Sequence, residues 1–333
     1  MTPMNKMVST FVGALALGFG PVHAETLRLG DFQSTSHIVS VEGTAKWMAA
    51  VEEATGGEIS FEHFPSQQAA KSAAQLDAVN NGILDAALLG AIYHAESLPL
   101  NSVVGLPGFY GSAVQGTKAL QTMLEEGPLR DEFLAAGVTP IFGFVLPPYQ
   151  VLAKKRLGMP ADWDALDVRT SGSTQAMTAR ALGAVGISIP GPEVYTAIER
   201  GRLDAVLFPL ASVPGYKLNE VVSHISTNGS FGGYSFVMVL GNSVFDGLSD
   251  DVKAEMIRLG GETATHVAQA QDASVSDLIV EWQAEGIDTY EFTDAELDTI
   301  RDALTAVNTD WAERINNDQA AEILETYRKL TSE

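Results

Sequence analysis

The sequence predicts an α/β protein built from two structurally equivalent lobes. Strand-like and helix-like segments alternate from residue 26 onward, which is typical of a sheet covered by helices. The segment 78–88 (AVNNGILDAAL) also matches 197–207 (AIERGRLDAVL) at a constant offset of 119 residues. In both segments a helix ends at a glycine and an Asp-Ala strand begins. We therefore expect the same unit to occur once in each lobe.

Composition limits the partners of this protein. The 333 residues are 46% hydrophobic, enough for two domains with their own cores. Acidic residues outnumber basic ones by 42 to 20, and the formal net charge is −22. Nucleic acid is not expected as a partner, because the composition has no excess of lysine and arginine to contact phosphate groups. The chain has no cysteine, which excludes disulfides and thiolate sites.

Residues 1–24 are predicted to be a secretory signal peptide. Lys6 supplies the positive charge, residues 7–18 (MVSTFVGALALG) the apolar stretch, and residues 22–24 a small-residue cleavage site. The apolar stretch is too short to span a bilayer, and no later run approaches about 20 residues without a charge. We expect a soluble, exported protein that begins near Glu25.

Periodicity and turn residues place the elements of the first half. Apolar residues recur at helical spacing over 41–54, and Thr55-Gly56-Gly57 ends that helix. The run 84–89 is almost continuously apolar, as buried parallel strands are. Pro147-Pro148 is expected to mark a crossing between lobes. In chain order we predict a strand at 26–30, a helix at 41–54, a strand at 59–64, a helix at 67–81, a strand at 84–89, a packed loop at 98–111, a broken helix at 113–136 and a strand at 138–145.

The second half begins with a dense block, 166–209, of three strands and two helices. Residues 166–169 (LDVR) predict a strand, and the hydroxyl-rich turn 170–174 (TSGST) is suited to capping the helix that follows. No proline follows Pro214, so long helices are allowed. We predict one from Ser249 across two glycines to about Ala284, then a capping box at 293–296 and a final short helix that carries residues 323–327.

Arg169 is the candidate functional residue of this block. It ends a predicted strand beside a helix N-terminus with free N–H groups and hydroxyls, which together favour an anion. A guanidinium there can clamp a carboxylate in bidentate fashion. Asp167 shares a strand face with Arg169, so a structural ion pair is the alternative interpretation. Spacing alone does not separate the two.

Motifs for catalysis and metal binding are missing from the sequence. The five histidines after the signal peptide show no metal-ligand spacing. There is no nucleophile elbow, Walker loop or dinucleotide fingerprint, and the glycine-rich 229–233 is predicted to be a loop. We therefore expect no catalytic residues, no metal and no cofactor.

Several of these motifs resemble one family, the solute-binding proteins of TRAP (tripartite ATP-independent periplasmic) transporters, related to C4-dicarboxylate-binding proteins. The similarity covers roughly residues 25–330, and the block from Arg169 to Asp204 is its most specific part. The motifs that carry it are the helix into TGG at 55–57, the G-x-x-D strand entries at 82–85 and 201–204, LPGF at 106–109, LDVR at 166–169, Gly183-Ala184, PEVYTA at 192–197 and Leu248-Ser249.

The resemblance implies a two-lobe periplasmic binding-protein fold with a long helix spanning both lobes. Residues 25–148 plus 240–280 are expected to form lobe I, and 149–239 plus 281–333 lobe II with bracing C-terminal helices. The resemblance also implies a periplasmic protein that closes on a small organic acid and delivers it to membrane permease subunits. Arg169 matches the arginine of the family that pairs with the ligand carboxylate. We expect a monomer and no enzymatic activity.

Two departures from the family pattern bear on the ligand. After G-x-x-D the family commonly has Glu-Asn-Pro, with the asparagine on the ligand, whereas this chain has Leu207-Phe208-Pro209. Many dicarboxylate and sugar-acid binders have a second basic residue where this chain has Tyr149-Gln150. One cation among aromatic residues favours a monocarboxylate. Two kinds are expected: an oxo or hydroxy acid with an aromatic or branched side chain, and a zwitterionic osmolyte. The expected ligand-binding residues are Phe32, Gln33, Tyr93, Tyr149, Gln150, Arg169, Phe208 and Phe231.

Three alternatives remain open at this point. The same type of protein could bind a C4-dicarboxylate or a sulfonate. An exported enzyme acting on a small acid would need a base and a nucleophile near Arg169, and no recognisable spacing supplies them. A sensing domain that passes its ligand signal to a membrane receptor would use the same fold.

Overall fold

The computed structural model describes residues 24–316 and 318–332. The signal peptide predicted over residues 1–24 falls outside these residues except for Ala24. The strands are β1 (Glu25–Asp31), β2 (Ile59–Phe64), β3 (Ala86–Gly90), β4 (Val138–Val145), β5 (Gln150–Ala153), β6 (Asp167–Thr170), β7 (Val185–Ser188), β8 (Ala205–Phe208), β9 (His224–Ser226), β10 (Ser235–Gly241) and β11 (Asp288–Tyr290). The α-helices are α1 (Ala45–Ala54), α2 (Gln75–Asn80), α3 (Ala113–Glu125), α4 (Pro128–Ala135), α5 (Ser173–Ala181), α6 (Gly191–Glu199), α7 (Asn242–Gly247), α8 (Asp250–Ala284), α9 (Asp294–Leu304), α10 (Val307–Ile315) and α11 (Asp318–Ser332).

Two sheets organise the described residues, which confirms the predicted two-lobe α/β fold. The first lobe holds the sheet ordered β2-β1-β3-β10-β4, and the second lobe holds the sheet ordered β11-β9-β5-β8-β6-β7. In each lobe three neighbouring strands run parallel, and a fourth strand, β10 or β5, pairs antiparallel beside them. The two sheets therefore repeat one arrangement.

The sequence repeat is the same local structure in both lobes. Gly82 and Gly201 follow α2 and α6 with φ of 67° and 68°, a left-handed conformation that favours glycine. Asp85 and Asp204 then accept hydrogen bonds from the backbone N–H of Arg28 and Asp167 on the neighbouring strand, each at 2.8 Å. Each aspartate thus ties the start of its strand to the adjacent parallel strand.

The chain passes between the sheets just before β5 and just before β10. It leaves the first sheet at the end of β4 and enters the second at β5, across Pro147-Pro148. It returns between β9 and β10, so β10 lies in the first sheet, although the sequence-based division assigns residues up to 239 to lobe II. The strand β10 is not among the predicted elements, because the glycine-rich segment 229–233 before it indicates a loop.

The helix predicted over 67–81 is much shorter in the structure. Ser66 and Gln67 adopt left-handed φ values of 54° and 64°, which a continuous helix does not allow. A 3₁₀ turn at Ser72–Ala74 leads into α2, whose 6 residues lie in the second half of the predicted span. The extended turn before α2 places Ser66 and Gln67 at the edge of the interlobe seam.

The long helix α8 spans both lobes, as the resemblance implies. On the first lobe, the Trp47 indole donates to the Met256 carbonyl at 3.2 Å, and the Asp272 carboxylate accepts from the first N–H groups of α3. On the second lobe, Trp282 is buried in the core around β8 and β9. Among the described residues, no helix has the combination of length and low polarity needed to cross a membrane.

The C-terminal helices contact both lobes. Thr293 and Glu296 form the predicted capping box of α9, and Glu296 binds Arg156 of the second lobe at 2.8 Å. The Trp311 indole of α10 donates to the Ser102 hydroxyl of the first lobe, also at 2.8 Å. Tyr327 of α11 stacks on Phe109 of the first lobe with ring centroids 5.0 Å apart. The sequence-based division assigned all of residues 281–333 to lobe II, but α11 packs on the first lobe.

The two glycines in α8 have different surroundings, and this generates a paired prediction. A Cβ at Gly260 would lie 2.6 Å from the buried Phe142 ring, whereas a Cβ at Gly261 would come no nearer than 3.6 Å to the Gln121 amide. We expect Gly260→Ala to destabilise the protein by about 1–3 kcal/mol through overpacking. Gly261→Ala should stabilise it by up to about 1 kcal/mol, because alanine favours a helix. Urea unfolding of both variants tests this. Equal effects of the two substitutions would contradict the described packing of α8 on β4.

Candidate functional site

A narrow cavity of about 20 Å³ lies between the lobes. Its volume is little more than one water molecule requires, so the lobes are closed over it. An organic acid can enter and be held only if the lobes or the cavity walls move. The described residues that line it are Phe32, Gln33, Tyr93, Leu146, Tyr149, Arg169, Gly191, Phe208, Pro209, Ser212, Tyr216, Tyr234 and Phe236.

Strand ends bring these residues together. Phe32 and Tyr93 follow the carboxyl ends of the parallel strands β1 and β3, and Phe208 ends the parallel strand β8. Tyr149 and Tyr234 precede β5 and β10, which run antiparallel to β8 and β3, so they reach the same sheet edges. Ligands of open α/β sheets bind at the carboxyl ends of the parallel strands. The cavity occupies this position for both sheets at once.

Arg169 is almost completely buried, with 1% of its surface exposed. Its Nε donates to the Ile189 carbonyl at 2.8 Å, and Nη1 donates to the Leu207 carbonyl at 3.0 Å. The guanidinium carbon lies 5.0 Å from the centroid of the Phe208 ring. These contacts fix the side chain at the cavity without neutralising its charge. Two of its five N–H donors are engaged with backbone, which leaves others for an anion.

The alternative ion pair with Asp167 is wrong for this structure. None of the ion pairs among the described residues involves Arg169. The Arg169 side chain reaches toward the ends of β7 and β8, where its acceptors Ile189 and Leu207 lie. Asp167 is at the opposite end of β6, two residues or about 6.6 Å earlier along the strand. Arg169 is therefore a buried cation that pairs with no carboxylate of residues 24–316 and 318–332.

Tyrosine hydroxyls surround this cation in their neutral form. Burial raises the pKa of Tyr149, and the nearby Arg169 guanidinium opposes that rise. Burial likewise raises the pKa of Tyr216 and of Tyr234 well above the ordinary value. All three hydroxyls stay protonated near neutral pH, so they can act as hydrogen-bond donors. Arg169 is then the single charged side chain among the described residues that line the cavity.

Hydrogen bonds across the cavity hold the two lobes together. The Tyr216 hydroxyl of the second lobe donates to the Gln33 amide oxygen of the first lobe. The Gly191 N–H at the start of α6 donates to the Tyr93 hydroxyl at 2.9 Å. A Cβ at Gly191 would lie 2.9 Å from the Tyr216 hydroxyl oxygen, so glycine permits this close approach. These two bonds exist only while the lobes are closed.

Asp31 fixes the turn that carries Phe32 and Gln33. Its carboxylate accepts from the Gln33 N–H at 2.8 Å and from the hydroxyls of Ser40 and Thr44 at 2.8 and 2.9 Å. Burial raises the pKa of Asp31 to about 6, while these hydrogen bonds act to lower it. Asp31 therefore orients Gln33 toward Tyr216 from behind the cavity.

Six of the expected ligand-binding residues line this cavity, and two do not. Gln150 is the first residue of β5, and its side chain points away from the face that Tyr149 presents. Its amide instead bonds the Gly229 backbone, at 2.6 Å to the carbonyl and 2.8 Å from the N–H. Phe231 turns into the core of the second lobe, where it packs on Trp163 and Phe292. The six that the structure brings together are Phe32, Gln33, Tyr93, Tyr149, Arg169 and Phe208.

Sequence reasoning missed several residues of the cavity. Tyr234 and Phe236 belong to β10, which was not identified as a strand. Ser212 and Tyr216 lie in 3₁₀ turns that follow β8, and only the position of that strand end could have indicated them. An aromatic and β-branched run at 234–239 (YSFVMV) was the available signal for β10.

Two wider grooves flank the cavity along the interlobe seam, with volumes of about 820 and 490 Å³. The larger contains the acidic residues Asp77 and Glu96 with Arg314, and the smaller contains Glu220 with Lys217. Carboxylates in both grooves repel a bound anion. None of the described residues that line the cavity at Arg169 carries a carboxylate. We therefore consider it, and not the larger grooves, the candidate anion site.

The described residues bring together no group of three or more histidine, aspartate and glutamate side chains that could hold a metal ion. His37 and His94 are buried, and burial lowers the pKa of each to about 4, so both are neutral at physiological pH. Chemistry at the cavity therefore depends on one guanidinium, several hydroxyls and aromatic walls.

Comparison with known proteins gives a family match. The model of the family described as "Bacterial extracellular solute-binding protein, family 7" (DctP) matches residues 30–314. The chain is 27% identical to the C4-dicarboxylate-binding periplasmic protein DctP of Rhodobacter capsulatus, covering 99% of each chain.

Solved structures share the fold. A TRAP solute-binding protein from Rhodoferax ferrireducens, in complex with copurified benzoate, superposes with a TM-score of 0.85 at 23% identity, covering 92% of this chain and 98% of the other. A marine metagenome TRAP protein specific for aromatic acid ligands, with 3-hydroxybenzoate, gives a TM-score of 0.86 at 20% identity and the same coverage. At this level of identity the likeness establishes the fold alone.

The bond between Tyr216 and Gln33 yields a prediction about closure. Tyr216→Phe removes one neutral interlobe hydrogen bond worth about 0.5–1.5 kcal/mol, so the open fraction should rise roughly 2- to 13-fold. Single-molecule energy transfer measures that fraction with dyes on Glu62→Cys and Arg202→Cys, since the chain has no other cysteine.

Tyr195→Phe is the matched control for this prediction. The Tyr195 hydroxyl bonds Glu220 of the same lobe, so its loss should leave the open fraction unchanged. If Tyr216→Phe and Tyr195→Phe behave alike, the bond to Gln33 does not contribute to closure.

Proposed function

The chain belongs to bacterial extracellular solute-binding protein family 7, as a TRAP-type solute-binding protein, and on that premise we propose that it captures a small organic monocarboxylate at Arg169. The ligand is enclosed between the lobes outside the cytoplasmic membrane. The closed protein then delivers it to the permease subunits of a TRAP transporter. No catalytic step is part of this function.

The single observation that carries the proposal is the buried, unpaired guanidinium of Arg169. A buried charge is costly unless an opposite charge and hydrogen bonds compensate it. The described residues supply two backbone carbonyls and an aromatic face, but no carboxylate. A ligand carboxylate would complete this environment through charge-assisted hydrogen bonds, which are roughly twice as strong as neutral ones.

One cation favours one anionic group on the ligand. A dicarboxylate in this cavity would place its second charge among Phe32, Phe208 and the tyrosines, where no further cation lines the wall. Leaving that charge buried and unpaired costs several kcal/mol. The 27% identity to a C4-dicarboxylate-binding protein is therefore not a reason to assign the ligand of that protein to this chain. A sulfonate also has a single charge, so it remains the nearer alternative.

Aromatic walls favour an aromatic acid among the monocarboxylates. Phe32, Phe208 and Phe236 line the cavity together with four tyrosines. Offset and edge-on contacts between rings add about 0.5–1.5 kcal/mol beyond the buried area. The similar proteins with benzoate and 3-hydroxybenzoate agree with this preference. Benzoate is accordingly the first probe for binding.

The two other classes of function lack support from the site. An enzyme would need a base and a nucleophile near the ligand, whereas the ionisable side chains that line the cavity are those of Arg169 and four tyrosines. Recovery of chemically unaltered benzoate after release would dismiss an enzyme. A sensing role would use the same closed complex, and a gene neighbourhood without permease subunits would favour it.

We predict that Arg169→Ala strongly weakens benzoate binding. Losing one partner of a buried charge pair costs about 2–5 kcal/mol, roughly 30- to 5,000-fold in affinity. For the wild-type protein, benzoate at 100 times its Kd adds about 2.7 kcal/mol of stability, which differential scanning fluorimetry detects. At the same benzoate concentration the variant should gain less than about 1 kcal/mol.

Two further variants complete this test. Arg301→Ala removes an exposed arginine that pairs with Asp298 on α9, far from the cavity, and should bind as the wild type does. Arg169→Lys keeps the charge but loses the fork geometry, so it should bind benzoate weakly. This variant replaces Arg169→Ala in the test if Arg169→Ala does not fold. Wild-type stabilisation of Arg169→Ala by benzoate would refute the proposed role of Arg169.

A second prediction concerns the number of charges on the ligand. Succinate and isophthalate should bind at least about 100-fold more weakly than benzoate, because each buries a second carboxylate without a partner. Isothermal titration calorimetry at fixed pH and salt compares benzoate, succinate, isophthalate and benzenesulfonate. Tighter binding of succinate than of benzoate would favour the C4-dicarboxylate alternative, and tighter binding of benzenesulfonate would favour the sulfonate alternative.

A further inference from the structure

We propose that Ser212 and Tyr234 form a polar subsite that recognises a hydroxyl group on the ligand, so that hydroxylated aromatic monocarboxylates bind in preference to unsubstituted ones. This inference rests on the proposed function, since it concerns the same cavity. It adds a second determinant of specificity to the carboxylate clamp at Arg169.

The hydroxyls of Ser212 and Tyr234 are buried without hydrogen-bond partners. Ser212 is 2% exposed and Tyr234 is 3% exposed, and both line the cavity with Arg169. The Ser212 Oγ has no hydrogen-bond partner among the described residues, and neither does the Tyr234 hydroxyl at hydrogen-bond distance, although the neighbouring Tyr93 hydroxyl contributes to the raised pKa of Tyr234. Buried polar groups in folded proteins are nearly always hydrogen-bonded, so each exception requires an explanation.

The other tyrosine hydroxyls of the cavity differ in this respect. Tyr149 bonds the Ser171 hydroxyl at 3.0 Å, Tyr93 accepts from the Gly191 N–H, and Tyr216 donates to Gln33. Their hydroxyls are thus engaged in holding the site and the lobes together. Ser212 and Tyr234 have no such structural role, which leaves them for the ligand.

The Tyr234 side chain is held in place for this role. A Cβ on Gly90 would lie 1.8 Å from its hydroxyl oxygen, so the side chain passes directly over a glycine. The rings of Tyr93 and Phe236 pack on it with centroids 5.4 and 5.0 Å away. A hydrogen-bonding group fixed in advance loses little conformational freedom when a ligand binds.

The two hydroxyls come from different lobes. Ser212 ends the 3₁₀ turn after β8 in the second lobe, and Tyr234 immediately precedes β10 in the first. A ligand hydroxyl that bonds either of them does so in the cavity that the closed lobes form. Each neutral hydrogen bond of this kind changes affinity by about 2- to 13-fold.

Calorimetry on the full mature chain tests this proposal with benzoate and the three monohydroxybenzoates. For the wild type, at least one hydroxybenzoate should bind about 2- to 13-fold more tightly than benzoate. Ser212→Ala or Tyr234→Phe should weaken binding of the preferred hydroxybenzoate more than binding of benzoate, and so remove that preference. Tyr195→Phe, whose hydroxyl bonds Glu220, is the control and should retain the preference.

Stability without ligand separates a binding role from a structural one. Because Ser212→Ala and Tyr234→Phe each remove an unpaired buried hydroxyl, the melting temperature of the ligand-free variants should be unchanged or higher. A lowered melting temperature together with equal weakening of benzoate and hydroxybenzoate would overturn the proposal in favour of a structural role.

The remaining outcomes distinguish this proposal from the proposed function. Benzoate binding with no preference for any hydroxybenzoate, or a preference that survives in both variants, would overturn the subsite alone. Failure of the wild type to bind any of the four acids would overturn the aromatic ligand class and the subsite with it.

Discussion

The arrangement of the whole site depends on one buried guanidinium that lacks a protein carboxylate. Arg169 is 1% exposed, and two backbone carbonyls and the Phe208 ring hold it in position. These neutral groups orient the cation without compensating its charge. An uncompensated buried charge is a cost to the free protein that a bound anion removes. The need for an anion therefore follows from the environment of Arg169.

The fold allows such a site because two similar sheets direct their strand ends at one another. The motif at Gly82–Asp85 and Gly201–Asp204 starts β3 and β8 in the same manner in each lobe. Each lobe thus supplies residues from the carboxyl ends of its parallel strands. The cavity is complete only when both lobes contribute, and the bond between Tyr216 and Gln33 crosses it directly. Ligand capture and lobe closure are consequently one process in this account.

Local sequence signals predicted the long helix and the strands β1 to β4 and β6 to β8, but not β5, β9, β10 or β11. The role of Arg169 at the ligand stays a prediction. Residues directly at strand ends, such as Phe32 and Phe208, could be assigned because a parallel strand delivers its last residue to the sheet edge. Gln150 could not, because one residue of register decides which face a side chain occupies, and Tyr149 faces the cavity. Phe231 turned into a lobe core, and Tyr234 depended on β10, whose membership in the first sheet is a long-range pairing. A local pattern at 234–239 indicates that β10 is a strand, but no local pattern indicates which sheet it joins.

A crystal structure of the protein with bound benzoate would show whether Arg169 binds the ligand carboxylate. We expect the carboxylate oxygens to lie about 2.7–2.9 Å from guanidinium nitrogens of Arg169, with the ring enclosed by residues of both lobes. A carboxylate bound instead in the wider groove beside Arg314, with the Arg169 guanidinium free of the ligand, would contradict this expectation.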